Sequence, residues 1–214
     1  DTDLAAVHLE EYRKELESVP DELKEDYEFI YVQNQVKCLD AAGRYEEAAE
    51  CYGQMLSQDT FSPSEIFKHV QILYYLSLAG NDEKFDACLE RINAFADSPD
   101  ITPQVWSRVR IQMIIALVNM KRYEEALENV LIVESMGLET EYVKVYKGSV
   151  LHKLERNDES RSAFLEYLDI CRETYGPESL KYASALRYLA NVEGFCKDID
   201  NGTVHLIESL RLVQ

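Results

Sequence analysis

Two stretches of the chain, 78 residues apart, are near copies of each other: Gly43-Arg44-Tyr45-Glu46-Glu47-Ala48-Ala49-Glu50 and Lys121-Arg122-Tyr123-Glu124-Glu125-Ala126-Leu127-Glu128. Weaker copies lie about midway between them and after them: Phe85-Asp86-Ala87-Cys88-Leu89 and Ser160-Arg161-Ser162-Ala163-Phe164. The small residues Ala48, Cys88, Ala126 and Ala163 are then spaced by 40, 38 and 37 residues. A period of this size predicts one supersecondary unit that is stacked several times.

Each repeat has the pattern of two helices. Apolar residues recur at intervals of three and four on both sides of the repeated motif, as in Ile111, Ile114, Ile115 and Val118, which is the spacing of one helix face. The sequence therefore predicts helices over 3–18, 22–42, 44–58, 63–79, 82–96, 103–119, 122–136, 140–154, 157–174, 177–195 and 200–212.

Boundary residues agree with these helices. Ser62-Pro63-Ser64-Glu65 has the form of a capping box, and Thr102-Pro103 repeats the cap followed by proline. Gly176-Pro177-Glu178 and Ser18-Val19-Pro20-Asp21 separate further helices. Alternating apolar runs typical of strands are lacking, and we interpret Asn201-Gly202 as a turn between helices. We expect almost no strand.

Composition narrows the classes of partner. The 214 residues contain 40 Asp and Glu against 22 Lys and Arg, a formal net charge of −18. Such a charge repels nucleic acids and anionic lipids, so neither is expected as a direct partner. No apolar run reaches the roughly 20 residues that a membrane crossing needs, and the first 17 residues show no signal peptide pattern.

The five cysteines, Cys38, Cys51, Cys88, Cys171 and Cys196, form no C-x-x-C pair and no dense disulfide framework. They favour a reducing compartment, the cytoplasm or the nucleus. Most have apolar neighbours, so we expect small buried side chains.

The motif Gly43-x-Tyr45-x-x-Ala48, with Tyr52 four residues later and a copy at Tyr123-x-x-Ala126, resembles the tetratricopeptide repeat (TPR). The resemblance covers residues 22–212, and the segment from Tyr175 to Ala190 also looks like the longer repeats of kinesin light chains. In that family the small residue lets two helices approach closely. The small residue usual in the middle of the first helix is replaced here by Val36, Ile114 and Leu151.

The resemblance implies an all-α fold, a right-handed α-solenoid of stacked antiparallel helical hairpins. We expect one domain over residues 1–214. It would consist of a leading helix over 1–20 and helical pairs over 21–60, 61–99, 100–138, 139–175 and 176–214.

In TPR proteins the first helices line a concave groove that binds peptides or partner helices. By phase, the resemblance places the following residues on the groove wall: Gln33, Lys37, Val70, Tyr74, Arg108, Ile111, Ile115, His152 and Arg156. A TPR branch that docks chaperone C-termini uses Lys, Asn and Arg at set positions, and here only two cations survive, in other places.

Catalytic patterns are missing from the sequence. His8, His69, His152 and His205 are spread one to a region, without the spacing of a zinc site. Glycine-rich phosphate loops are also missing. We therefore predict no catalytic residues, no metal and no cofactor.

The sequence thus predicts a non-enzymatic scaffold or adaptor that binds a protein or peptide segment and belongs to a larger complex. The alternative is a regulatory peptide sensor or a co-chaperone. The partner is expected to bring apolar anchors to the groove and a basic flank to acidic faces such as Glu22, Glu25 and Glu28.

Overall fold

A computed structural model describes residues 2–56, 63–96, 98–138 and 141–213 of the chain. It contains helices α1 (Thr2–Leu16), α2 (Asp21–Ala41), α3 (Tyr45–Gly53), α4 (Pro63–Ala79), α5 (Asp82–Asn93), α6 (Pro103–Asn119), α7 (Tyr123–Ser135), α8 (Glu141–Lys153), α9 (Asn157–Tyr175), α10 (Leu180–Phe195) and α11 (Ile199–Leu212). No strand occurs in these described ranges. Every predicted helix is present, and most ends agree within three residues.

The helices form two compact units, Asp1–Met120 and Lys121–Gln214. In the first unit α1 packs on α2, α2 on α3 and α3 on α4, and α4 also packs on α5 and α6. In the second unit each helix from α7 to α11 packs on the next. The boundary falls in the turn between α6 and α7, inside the predicted pair 100–138. The single continuous domain expected from the repeat, with its pair boundaries, stays a prediction.

One turn geometry precedes all five second helices, α3, α5, α7, α9 and α11. Two residues before each helix begins, the backbone is left-handed, with φ between 60° and 70°, at Gly43, Gly80, Lys121, Glu155 and Lys197. After Gly43, Gly80, Glu155 and Lys197 the next residue donates its N–H to a carbonyl five residues back, as in Arg44 N to Leu39 O at 2.8 Å and Asp198 N to Glu193 O at 2.9 Å. This bond closes the preceding helix in a Schellman motif.

The turn also sets the register of the small residues. The fourth residue of every second helix is buried, and these residues are Ala48, Phe85, Ala126, Ser160 and Gly202. Ala48 and Ala126 are as expected, but Cys88 and Ala163 lie one helical turn after the equivalent position, which a large residue, Phe85, holds in α5 and the small Ser160 holds in α9. Both are small residues on the same buried face as the equivalent positions.

Contacts between α8 and α9 show the corrected register. Ser160 Oγ donates to Gly148 O at 2.7 Å, and a Cβ on Gly148 would lie 2.7 Å from the Phe164 ring. The small residue of this first helix is therefore Gly148 and not Leu151, whose side chain is buried in the core.

Gly202 makes a similar close approach between α10 and α11, because a Cβ there would lie 3.1 Å from Ala190 O. The turn predicted at Asn201-Gly202 is wrong, since both residues lie inside α11 and the chain reverses at Lys197.

Helix caps mostly follow the sequence. Thr102 Oγ1 accepts from Val105 N at 3.3 Å, with Pro103 as the first residue of α6. α10 begins at Leu180 and not at Pro177, because Ser179 supplies its cap. Ser62 lies outside the described residues. Cys51, Cys88 and Cys171 are buried as expected, whereas Cys38 and Cys196 are half-buried. No helix in the described part of the chain combines the length and the apolar character needed to span a membrane.

Candidate partner-binding surface

An open cleft of about 630 Å³ lies between α2 and α4 in the first unit. Its lining combines apolar, aromatic and polar side chains: Asp26, Phe29, Gln33, Tyr52, Met55, Phe67, Lys68 and Gln71. The two phenylalanines stand on opposite helices and are 39% and 37% exposed. Two half-exposed aromatic rings beside convergent polar groups are typical of a surface that binds another molecule.

Helix spacing explains how the side chains reach the cleft. Asp26, Phe29 and Gln33 follow one another at intervals of three and four on α2, and Phe67 and Gln71 are four residues apart on α4. Each set therefore forms one face of its helix. The short α3 ends at Gly53 and supplies the floor from Tyr52 and from Met55 just beyond.

The polar floor of the cleft is held in place. Lys68 Nζ donates to Glu65 Oε1 at 2.8 Å and to Met55 O at 2.9 Å. Tyr52 stacks on Tyr75, with ring centroids 6.2 Å apart, and burial raises the pKa of both phenols, that of Tyr75 to about 12. Both phenols are therefore neutral. The two hydrogen bonds of Lys68 orient its ammonium group before any partner binds.

Of the predicted wall residues on α2 and α4, Gln33 lines this cleft, and Lys37 is exposed one turn further along. Tyr74 is half-buried, with its ring against Tyr75 at 5.2 Å. The prediction that Val70 lies on the groove wall is wrong. Val70 is 1% exposed, because it lies on the stripe that α4 buries with Ile66 and Leu73, so it is a core residue and cannot contact a partner.

Three predicted wall residues lie on α6. Arg108 is exposed, and Ile111 and Ile115 are half-buried. They share one face of the helix by their spacing, but they do not line the cleft between α2 and α4. Their part in binding stays a prediction.

The last two predicted residues belong to the second unit and have partners there. His152 Nδ1 lies 2.9 Å from Asn157 Oδ1, and its ring meets Phe195 edge-on at 4.6 Å. Arg156 is the N-cap residue of α9 and pairs with Glu159 at 2.7 Å. Arg156 therefore belongs to the turn, and not to the first helix on which the groove assignment placed it.

Sequence reasoning missed the two phenylalanines of the cleft, although a signal for them exists. Phe29-x-x-Val32-Gln33 is repeated 38 residues later as Phe67-x-x-Val70-Gln71. The clearer repeat lies in the second helices, where small residues mark the close contacts. This copy in the first helices would have pointed to Phe67 and Gln71 in place of Val70.

Metal ligands do not cluster in the part of the chain that the structure describes: no group of three or more His, Cys, Asp or Glu could hold an ion.

No protein-family model matches the sequence, and no curated protein matches it. Solved structures do match. A variant of a Podosopora anserina protein described as a kinesin light chain with nearly identical TPR-like repeats is 13% identical, with 85% of this chain and 92% of that chain covered and a TM-score of 0.71. MamA of AMB-1 is 19% identical, over 85% and 97% of the two chains, with a TM-score of 0.56. BtubC from P. vanneervenii is 12% identical, over 99% and 71%, with a TM-score of 0.53. The predicted all-α, TPR-like repeat fold is thereby confirmed.

Proposed function

We propose that the chain is a non-enzymatic interaction scaffold that binds a segment of a partner protein in the cleft between α2 and α4. The observation that carries the proposal is the pair of half-exposed rings, Phe29 and Phe67, on either side of a preformed floor. Exposure of an aromatic side chain to water is unfavourable, and the free energy falls when a partner covers the ring. Helical repeat folds offer such surfaces because their rigid hairpins hold neighbouring helices at a fixed separation.

The lining predicts the chemistry of the partner segment. Apolar side chains would fill the space between the two rings, and the amides of Gln33 and Gln71 would bond to its backbone or polar groups. Asp26 at the cleft and the exposed Glu22 and Glu28 on α2 would attract a basic flank. The side chain of Glu25 lies outside the part of the chain that the structure describes. The peptide-sensor and co-chaperone alternatives stay predictions.

Comparative affinity purification from the native source tests the proposal. Three baits are used: the wild-type chain, a double variant Phe29→Ser/Phe67→Ser, and a control variant Leu131→Ser. Leu131 is 49% exposed on α7 in the other unit, so the control also removes an exposed apolar side chain. Mass spectrometry should identify a protein retained by wild type and control and lost from the double variant. A set of bound proteins that is the same for all three baits would refute the cleft as the binding site.

Binding kinetics of the recovered partner give a second test. The association rate should fall as salt rises, because exposed charges are screened over about 8 Å at physiological ionic strength. The dissociation rate should change little with salt and should increase in Phe67→Ala, because buried anchors control it. Glu22→Gln/Glu28→Gln should mainly slow association. An association rate that is independent of salt would contradict the charge argument.

A further inference from the structure

A second cleft, of about 450 Å³, lies between α3 and α5 over one side of α4. It shares no lining residue with the cleft between α2 and α4. Small side chains open it, since α3 contributes Ala49 and Gly53 and α5 contributes Ala87. An ideal Cβ on Gly53 would meet no heavy atom within 4 Å. Ile72 and Leu76 of α4 form an apolar floor.

Among the described residues, one residue that lines this cleft has a buried ring nitrogen without a hydrogen-bond partner. His69 lines the cleft, is 4% exposed, and places Nδ1 2.9 Å from Glu65 O. A carbonyl oxygen only accepts, so Nδ1 carries the proton and Nε2 is the acceptor. Nε2 is buried, without a hydrogen-bond partner among the described residues. Burial lowers the pKa of the imidazole, so the ring is neutral and Nε2 keeps its lone pair.

The rim of the cleft is charged, but its charges are already balanced. Lys84 Nζ lies 3.6 Å from Glu50 Oε1 and 3.9 Å from Glu46 Oε1, and Arg91 adds a second cation. The site therefore favours a neutral group that has an apolar body and one hydrogen-bond donor. An apolar pocket inside a polar rim is also the usual seat of an anchoring side chain at a protein interface.

We propose that this cleft receives a tyrosine or tryptophan side chain of a protein partner, whose O–H or N–H donates to His69 Nε2. An aromatic ring would cover Ile72 and Leu76, and its donor would pair with His69 Nε2, which has no hydrogen-bond partner among the described residues. The partner's backbone would stay at the rim, beside Glu46, Glu50 and Lys84. The site is separate from the cleft of the proposed function and shares with it only the premise that the partner is a protein.

Nuclear magnetic resonance titration of the full chain tests the proposal with 4-methylphenol, toluene and acetyl-Ala-Tyr-Ala-amide as probes. 4-Methylphenol should shift amide signals of α3 and α5 in a saturable way and move the Nε2 resonance of His69. It should bind about tenfold more tightly than toluene, because only the phenol can pair the buried acceptor. The peptide should shift the same signals. No saturable shift, equal affinity for toluene, or binding of the phenol without the peptide would each overturn the proposal.

Variants separate the acceptor from the shape of the cleft. In the wild type the ring centroids of His69 and Phe95 are 5.6 Å apart. His69→Phe keeps a ring at this position and should abolish the preference for 4-methylphenol over toluene. Ala87→Leu fills the cleft from α5 and should remove binding of every probe, whereas Ala79→Leu, at an exposed site on α4, should leave binding unchanged. Persistence of the preference in His69→Phe would overturn the assigned acceptor. Phe29→Ser/Phe67→Ser should bind the probes as the wild type does, so failure of one proposal is distinguishable from failure of the other.

Discussion

Gly148 lets α8 and α9 pack closely, and its replacement by alanine measures that packing. A Cβ at this position would lie 2.7 to 2.8 Å from three carbons of the Phe164 ring. The ring cannot turn aside easily, because Phe164 is buried and stacks on Tyr188 with centroids 5.4 Å apart. Gly148→Ala must therefore displace a packed ring or separate two helices.

Two opposing terms set the size of the effect. Crowding in a packed core costs about 1 to 3 kcal/mol, whereas replacing glycine by alanine inside a helix gains about 1 kcal/mol. Gly148→Ala should therefore lower the free energy of unfolding by up to about 2 kcal/mol. Gly194 on α10 is the matched control, since a Cβ there meets nothing within 4 Å. Gly194→Ala lacks the crowding and should be neutral or stabilising by up to about 1 kcal/mol.

Urea unfolding of the full chain, followed by circular dichroism at 222 nm, measures both changes. A double-mutant cycle with Phe164→Leu assigns the crowding to that ring, because a smaller side chain should relieve it and give a coupling of about 1 kcal/mol or more. A Gly148→Ala variant that is as stable as Gly194→Ala would refute the register in which Gly148, and not Leu151, is the small residue of α8.

Three further predictions concern single groups. Glu155 has φ = 60°, so Glu155→Gly should relieve left-handed backbone strain and stabilise the chain by up to about 1 kcal/mol in urea unfolding; a loss of stability would contradict this reading of the turn. Burial raises the pKa of Glu134, but hydrogen bonds from Lys147 and Lys144 outweigh it and leave the pKa below its usual value. Glu134 should therefore stabilise the fold above its unfolded pKa of about 4.3 and lose this effect as pH falls through the lower folded value, so thermal melts between pH 6 and 3 should be less steep in pH for Glu134→Gln. Burial raises the pKa of the Cys88 thiol to about 12, so a disulfide reagent at pH 8 should modify Cys88 only after unfolding, and fast reaction in the native state would show that the site opens.

The helices could be predicted from the sequence because their signals are local and agree with one another. Apolar spacing, the cap at Thr102-Pro103 and the break around Gly176 each act within a few residues. The end of α3 at Gly53 was placed too late, at residue 58, because Met55 and Leu56 continue the apolar pattern although the helix has ended. The apolar pattern records which side chains are covered, and residues beyond a helix end are covered as well.

The register of α8 and α9 could not be predicted, because it depends on one contact between distant residues. Ala163 is small, buried and one turn after Ser160, so identity alone favours it as the close-contact residue. The distances from Gly148 to Phe164 and Ser160 decide the matter. The prediction for Val70 was wrong for a related reason. Val70 and Gln71 are adjacent in sequence but lie on different faces of α4, and only burial shows which of the two faces the core.

The turns give a frame that the repeat period does not. The second helices begin at residues 45, 82, 123, 157 and 199, at intervals that vary between 34 and 42 residues. The left-handed residue nevertheless stays two positions before each of them. The variation is absorbed elsewhere, for example in first helices of 21 residues in α2 and 13 in α8.

Three of the five left-handed positions carry Lys or Glu in place of glycine, which hides the turns from a search for glycine. A position counted back from the left-handed residue falls on the same face of each first helix. A position counted forward from the preceding repeat shifts by up to one helical turn, because the repeat length varies. Gln33 and Lys37 lie ten and six residues before Gly43. The same count assigns the corresponding face of the second unit to Val145 and Ser149 on α8 and to Arg187 and Asn191 on α10, and each of these side chains is at least partly exposed.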